Sequence, residues 1–226
     1  MTLLLGGSET LTPEPNGRRT SRPTASPGEA EPEKRRAILH AAVKVFAEKG
    51  YHGCRIADVA KQAGVAYGLV YHYFQNKEEL LESVFAEQWT IFITALRAIS
   101  DGPGDAPEQL AGVCRFAIDV FRTAPAAVRV LLLEVARTPN AFRAGSTRQT
   151  FEEAVEIVAG IVRRGKERGE IRADADPVVA AAGLLGALEL TLTGMVMGLL
   201  GGTGEEDIER VKNGVIDLVL TGVSAR

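Results

Sequence analysis

The sequence predicts an all-α chain of about nine helices. An N-terminal three-helix domain carries a helix-turn-helix, and a larger helical domain follows it. Three observations lead there. Residues 56–74, IADVAKQAGVAYGLVYHYF, read as two short helices about a glycine turn. Beyond Lys77, apolar residues recur at helical spacing, and Pro107, Pro125, Pro139 and Pro177 each fall near the start of such a run. No segment alternates apolar and polar residues with the period of a strand.

Taken in order, residues 1–31 contain sixteen Gly, Pro, Ser or Thr and almost no large apolar residue after Leu11. Such a composition cannot repay the entropy of ordering, so a disordered tail is expected there. Its Arg18, Arg19 and Arg22 can also be read as a basic arm for a minor groove, against the plainer reading of a solvated tail. The first helix is expected over residues 32–49. Pro32 lies in its first turn, Ile38, Ala41, Ala42, Val45 and Phe46 form its stripe, and Gly50 ends it. The second starts near Arg55 and buries Ile56, Val59, Ala60 and Ala63 up to Gly64. The third, 66–74, buries Val70 and Phe74. That leaves Tyr67, Gly68, Leu69, Tyr71 and Tyr73 on or beside its outer face. An exposed aromatic face is costly unless it meets a partner, and the second helix of a helix-turn-helix meets the DNA major groove.

Asn76 is a suitable N-cap for the fourth helix, with Glu79 three residues on. This helix runs to about residue 99, with Leu80, Leu81, Val84, Phe85, Trp89, Phe92, Ile93 and Leu96 on its apolar side. Five more helices are expected at 106–123, 125–137, 140–168, 177–200 and 205–221. Thr138-Pro139 and Asp176-Pro177 serve as starts, and Gly102, Gly169 and Gly201-Gly202 mark ends. The domains divide as tail 1–31, DNA reader 32–79, and helical domain 80–226.

The net charge of −3 is unevenly spread. Residues 32–80 hold eight basic and five acidic side chains, whereas residues 81–226 hold fifteen and twenty. Positive charge thus gathers where phosphate contact needs it. Cys54 and Cys114 form no metal or redox motif and read as reduced thiols of a cytoplasmic protein. No stretch reads as a membrane span; residues 183–200 come nearest, interrupted by Glu189.

The run G64-V65-A66-Y67-G68-L69-V70-Y71-H72-Y73-F74, then N76-K77-E78-E79-L80, resembles the DNA-binding signature of TetR-family bacterial regulators. The resemblance is strong over residues 33–80. It implies a DNA-binding set of Arg55, Ala66, Tyr67, Gly68, Leu69, Tyr71, His72, Tyr73 and Lys77, with Lys77 on phosphate. Where the family places a Ser or Thr cap, this chain has Cys54-Arg55, and the family's arginine is absent at Ala57. Arg55 is therefore expected to take over one backbone contact. The resemblance further implies a homodimer in which the last two helices pair with their symmetry mates. Apolar Leu184, Leu188, Leu192, Val211, Val215 and Leu218 are its expected contacts, and a palindromic operator requires such a dimer. More loosely, LLLEVARTPNAFRA (131–144) and GALELT (186–191) resemble regulators of fatty-acid degradation within that family, which respond to long-chain acyl-CoA.

Large apolar residues mixed with isolated polar ones over residues 85–193 suggest a small-molecule site. The expected lining is Trp89, Phe92, Phe116, Phe121, Leu132, Glu134, Arg137, Phe142, Arg143, Phe151, Glu189 and Thr193, with Arg137 or Arg143 meeting an anionic part. The plainer alternative is an ordinary core with its polar groups satisfied locally. The leading expectation is a ligand-responsive dimeric repressor, with no cofactor, metal or membrane partner. An activator, or a regulator without a ligand, stays open. An enzyme using Glu134 and Glu189 finds little support. All three histidines lie at 40, 52 and 72, and no nucleophile–base pair or phosphate-cradling loop is evident.

Overall fold

A computed structural model describes residues 27–135, 145–202 and 204–223. It is all-α, with no sheet among those residues. The helices are α1 (Pro27–Gly53), α2 (Ile56–Ala63), α3 (Tyr67–Tyr73), α4 (Lys77–Ser100), α5 (Ala106–Thr123), α6 (Pro125–Arg129), α7 (Gly145–Glu167), α8 (Pro177–Val196) and α9 (Glu205–Val223). From Val130 to Val135 the chain continues α6 as a π-helix.

Two apolar cores hold the molecule. The first gathers Ile38, Leu39, Ala42 and Phe46 of α1, Val59 of α2, Val70 of α3 and Leu80, Leu81 and Val84 of α4. The second joins Ile93 and Leu96 of α4 to α5, α7, α8 and α9 through Leu110, Ile118, Val158, Ile161, Leu184 and Ile208. α4 therefore belongs to both, and the expected boundary at residue 80 falls inside one continuous helix. Chain from the larger domain also enters the smaller core: Ala127 and Val130 are buried there, while Leu132 packs on the larger one.

Several expectations need correcting. α1 begins at Pro27, five residues early, and carries Pro32 inside it, so residues 27–31 are helical rather than tail. Residues 1–26, with the three tail arginines, lie outside the described residues. Gly50 does leave the helix, at φ 71°, and a further turn follows it to Gly53. The sixth helix stops being α-helical at Val130, well before 137, because a π-turn widens the backbone there. α8 ends at Val196, not 200. Gly198 adopts φ 72°, and the Leu199 and Gly198 N–H groups close the end on the carbonyls of Gly194 and Met195. The α8 helix is also long and apolar enough to cross a membrane by length and composition, contrary to the sequence reading. One charge, Glu189, does not offset residues that are apolar on both sides of the helix. One side enters the core through Ala181, Leu184 and Leu188; the other points outward.

The caps follow the sequence closely. Asp176 accepts from the Val178 and Val179 N–H groups at 2.9 and 3.0 Å. Asp105 accepts from Glu108 at 2.8 Å, and Asn76 from Glu79 at 2.8 Å. Glu79 does not close the box on Asn76; it takes the N–H of Gln75 instead, at 2.7 Å.

Candidate nucleic-acid interface and effector region

The DNA reader is built from a short helix pair. α2 starts without a side-chain cap, and only the Asp58 half of a capping box forms, beside a backbone turn bond. The Arg55 N–H donates to Asp58 Oδ2, and the Asp58 N–H to the Arg55 carbonyl, both at 2.9 Å. Lys49 of α1 donates to Asp58 at 2.7 Å, and this bond is the main cause holding the Asp58 carboxyl below its ordinary range. With Asp58 occupied in this way, the Arg55 side chain stands exposed. Gly64 closes α2 at φ 67°, a left-handed turn that lets Val65 send its N–H back to Ala60. α3 then leaves α2 with Val70 and Phe74 fully buried beneath it.

The structure leaves the residues of the expected set on α3 open to solvent in whole or in part. Ala66, Tyr67, Gly68, Tyr71 and His72 are exposed, and Leu69 and Tyr73 are half-buried. Tyr67 is 53% exposed and Tyr71 44%. The two rings meet edge to face at 5.1 Å, and the Tyr67 hydroxyl donates to that of Tyr71 at 3.2 Å. No atom lies within 4 Å of where a Gly68 Cβ would stand. Two features were not read from sequence. The Tyr73 hydroxyl donates to the Glu31 carbonyl at 3.2 Å, and His72 Nε2 lies 3.5 Å from the Glu31 carboxylate. Their only sequence signal is acidic Glu31 before α1's apolar stripe, in a stretch read as tail. Lys77, expected on phosphate, donates to the carbonyls of Tyr51 and Cys54.

The effector region divides differently from its expected lining. Phe85, Trp89 and Phe92, at spacings of four and three on α4, form a stacked row with centroids 5.6 and 5.2 Å apart. Phe151 of α7 meets Trp89 at 5.0 Å, and Phe116 of α5 stacks on Phe92 at 6.2 Å. The expected Trp89, Phe92, Phe116 and Phe151 are therefore brought together, with Phe85 as an unanticipated member. Within this row the Trp89 Nε1–H is buried, and neither it nor the buried Oε2 of nearby Glu87 has a hydrogen-bond partner among the described residues. Phe121 is buried in the larger core and Leu132 packs against it. Thr193 is half-buried on α8. Glu189 is corrected: it is exposed, because its turn of α8 faces outward, so it is no buried anchor or acid. The Glu134 side chain, Arg137, Phe142 and Arg143 lie outside the described residues, as does the Thr138-Pro139 start.

The expected dimer contacts also need redistribution. Leu184, Leu188, Val211 and Val215 are buried in the protomer's own core, and Leu192 is half-buried against it. Of the six, Leu218 alone is exposed. The outward face of α8 is a different stripe: Val179, Gly183, Gly186, Leu190 and Met197, at helical spacing. Between it and α9 lies an open groove of about 290 Å³ lined by Val179, Gly183, Ala187, Leu218 and Gly222 among others. Both cysteines are free and buried.

An all-α chain with a basic helix-turn-helix at one end and a large helical domain at the other has the architecture of a DNA-binding transcriptional regulator. The family described as "Bacterial regulatory proteins, tetR family" matches over residues 38–84. The fatty acid metabolism regulator protein of Bacillus subtilis is 32% identical over 186 residues, covering 82% of this chain and 93% of that one. Among solved structures, FadR from Bacillus subtilis in complex with stearoyl-CoA has a TM-score of 0.73 at 32% identity, covering 83% of this chain and 98% of that one. FadR from Bacillus halodurans, a fatty acid degradation regulator, has a TM-score of 0.75 at 28% identity, covering 85% and 97%. The chain belongs to the TetR family of bacterial transcriptional regulators, and within it is FadR-like.

Proposed function

We propose that the protein is a dimeric repressor of the bacterial cytoplasm that occupies a two-fold symmetric operator and is released by a long-chain acyl-CoA. Tyr67, Gly68 and Leu69 meet base edges and thymine methyls, and Arg55, Tyr71 and Tyr73 hold the backbone. The outward stripe of α8, with Leu218 of α9, pairs with its symmetry mate. The observation that carries the switch is α4's membership of both cores. Its early turns pack under the DNA reader, and the row Phe85–Trp89–Phe92 lies further along it. An acyl chain entering beside that row displaces α4 and changes the separation of the two α3 helices. Reading both half-sites needs them about 34 Å apart.

The acyl-CoA class rests on the stearoyl-CoA held by the Bacillus subtilis relative and on the aromatic lining here. Trp89 Nε1–H, a buried donor with no acceptor among the described residues, suits a carbonyl of the incoming chain. The test is titration of the operator complex with stearoyl-CoA, stearate and free CoA. Release by stearoyl-CoA alone is expected, with a coupling of about 1–3 kcal/mol. Equal operator affinity with and without all three ligands would remove this effector class.

A further inference from the structure

The first turns of α1 run past the core that the rest of the helix helps to build. Ile38, Ala42 and Val45 are its inward stripe, and all three are buried. Followed back at helical spacing, that stripe reaches Arg35 and then Glu31, with Lys34 beside them. These three are exposed. What lies against them is the end of α3. The Tyr73 hydroxyl donates to the Glu31 carbonyl at 3.2 Å, and His72 Nε2 lies 3.5 Å from the Glu31 carboxylate. The Arg35 guanidinium sits 5.2 Å from the centroid of the buried Phe74 ring.

We propose that this turn of α1 is a clamp for the duplex backbone, in which Lys34 and Arg35 take phosphate beside the groove that α3 enters. The contacts of Glu31 and Arg35 bring the turn to the C-terminal end of α3, next to His72 and Tyr73. Lys34 and Arg35 have no ion-pair partner among the described residues, so their charge is open to an outside anion. Phe74 covers one face of the Arg35 guanidinium and leaves its N–H edge for phosphate oxygens. Glu31, the acid on this side, is the group that His72 approaches, and Glu33 lies about 200° round the helix from it. Arg36 is likewise about 200° round from Lys34, so the same charge two residues on stands away from α3. Contacts of this kind fix the protein on the duplex without reading sequence. The clamp rests on the reading of the outer face of α3 as the DNA face.

The experiment uses the full chain with K34Q, K34R, R36Q and R55Q, and measures the slope of log affinity against log salt on a fluorescent duplex of arbitrary sequence. Each phosphate neutralised contributes about 0.9 to that slope. K34Q should lower it by about 0.9 for each protomer bound, K34R should keep it, and R36Q should leave it unchanged. Lys34 is exposed, so K34Q should melt as wild type does, which separates lost contact from lost fold. R35Q should lower the slope as well, but it also uncovers Phe74, so the test stands on Lys34. A wild-type slope in K34Q overturns the proposal. So does an equal loss in R36Q, which would mean a diffuse positive field rather than a clamp. R55Q tells the two readings apart. If it lowers the slope and K34Q does not, the clamp alone fails. If neither does, the face assigned to DNA fails with it.

Discussion

Two helices carry apolar side chains into solvent, with different chemistry. On α3 the exposed rings are tyrosines, each ending in a hydroxyl, beside cationic Arg55 and titratable His72. On α8 and its cap the exposed large residues include Val179 at 68%, Leu190 at 74% and Met197 at 61%, with a single charge, Glu189, among them. Between them stand Gly183 and Gly186, with nothing within 4 Å of where a Cβ would lie. The first face suits a wet, charged polymer, where a ring stacks on sugar or methyl and its hydroxyl reaches phosphate. The second suits a dry surface that approaches a backbone closely, as another copy of α8 does. Exposed hydrophobicity alone does not tell a DNA face from a protein face; the polar handle does.

The sharpest way to break this contrast is Leu190→Glu. On a dimer face it buries a charge without a partner, costing several kcal/mol, which is a weakening of about a thousandfold or more. Sedimentation at micromolar concentration should show monomers that still melt cooperatively. Leu188→Glu, two residues earlier and only 3% exposed, should instead unfold the protomer. A wild-type dimer surviving Leu190→Glu would mean that α8's outer face is not the interface.

Next in size, Tyr67→Ala should cost about 1–3 kcal/mol against the true operator and little against random duplex. Its melting temperature should hardly move, because the side chain is exposed. Val70→Ala, on the buried side of the same helix, should reverse this. It should lose about 2 kcal/mol of stability while keeping its preference among sequences.

A smaller effect separates folding from binding at one position. Gly68→Ala meets no neighbour and fills a helical position, so it should stabilise the fold by about 0.5–1 kcal/mol. Its operator affinity should fall, since the methyl stands where the backbone approaches the groove. Denaturant melts and operator titrations on the same preparation check both signs.

The smallest concerns the two interiors. Burial pushes the Cys114 thiol up to about 11, and raises Cys54 as well, where Lys77 pulls partly the other way. A raised thiol pKa contributes stability that is complete below the ordinary thiol range and lost as pH climbs towards the folded value. The larger core should therefore weaken between about pH 9 and 11. Iodoacetamide at pH 8 should modify Cys54 before Cys114, and mass spectrometry would detect the opposite order.

The DNA reader was almost wholly legible because its signals are local. Gly64 at the turn, Val70 and Phe74 on one side and Tyr67 and Tyr71 on the other follow from a 3.6-residue period and one left-handed glycine. The internal contacts of Lys77 were not legible, for the opposite reason. Its partners lie 23 and 26 residues away, and a lysine at a helix start reads equally as a phosphate contact or a carbonyl clamp. The effector region was half legible. Spacing placed Phe85, Trp89 and Phe92 on one face of α4, but only packing brought Phe116 and Phe151 to them.

By itself the sequence determined where most helices lie, most of their caps and the exposed face of α3, because each depends on residues within a turn or two. It also determined that α8 and α9 are more apolar than solvent tolerates. Only the tertiary structure decided which of those apolar residues face inward. Leu184, Leu188, Val211 and Val215 went to the protomer's core, and Val179, Leu190, Met197 and Leu218 to the surface. A helix that is apolar on both sides has no preferred face of its own. Its orientation is set by what packs against it, and that information lies outside the helix, in α7 for α8 and in α5 for α9.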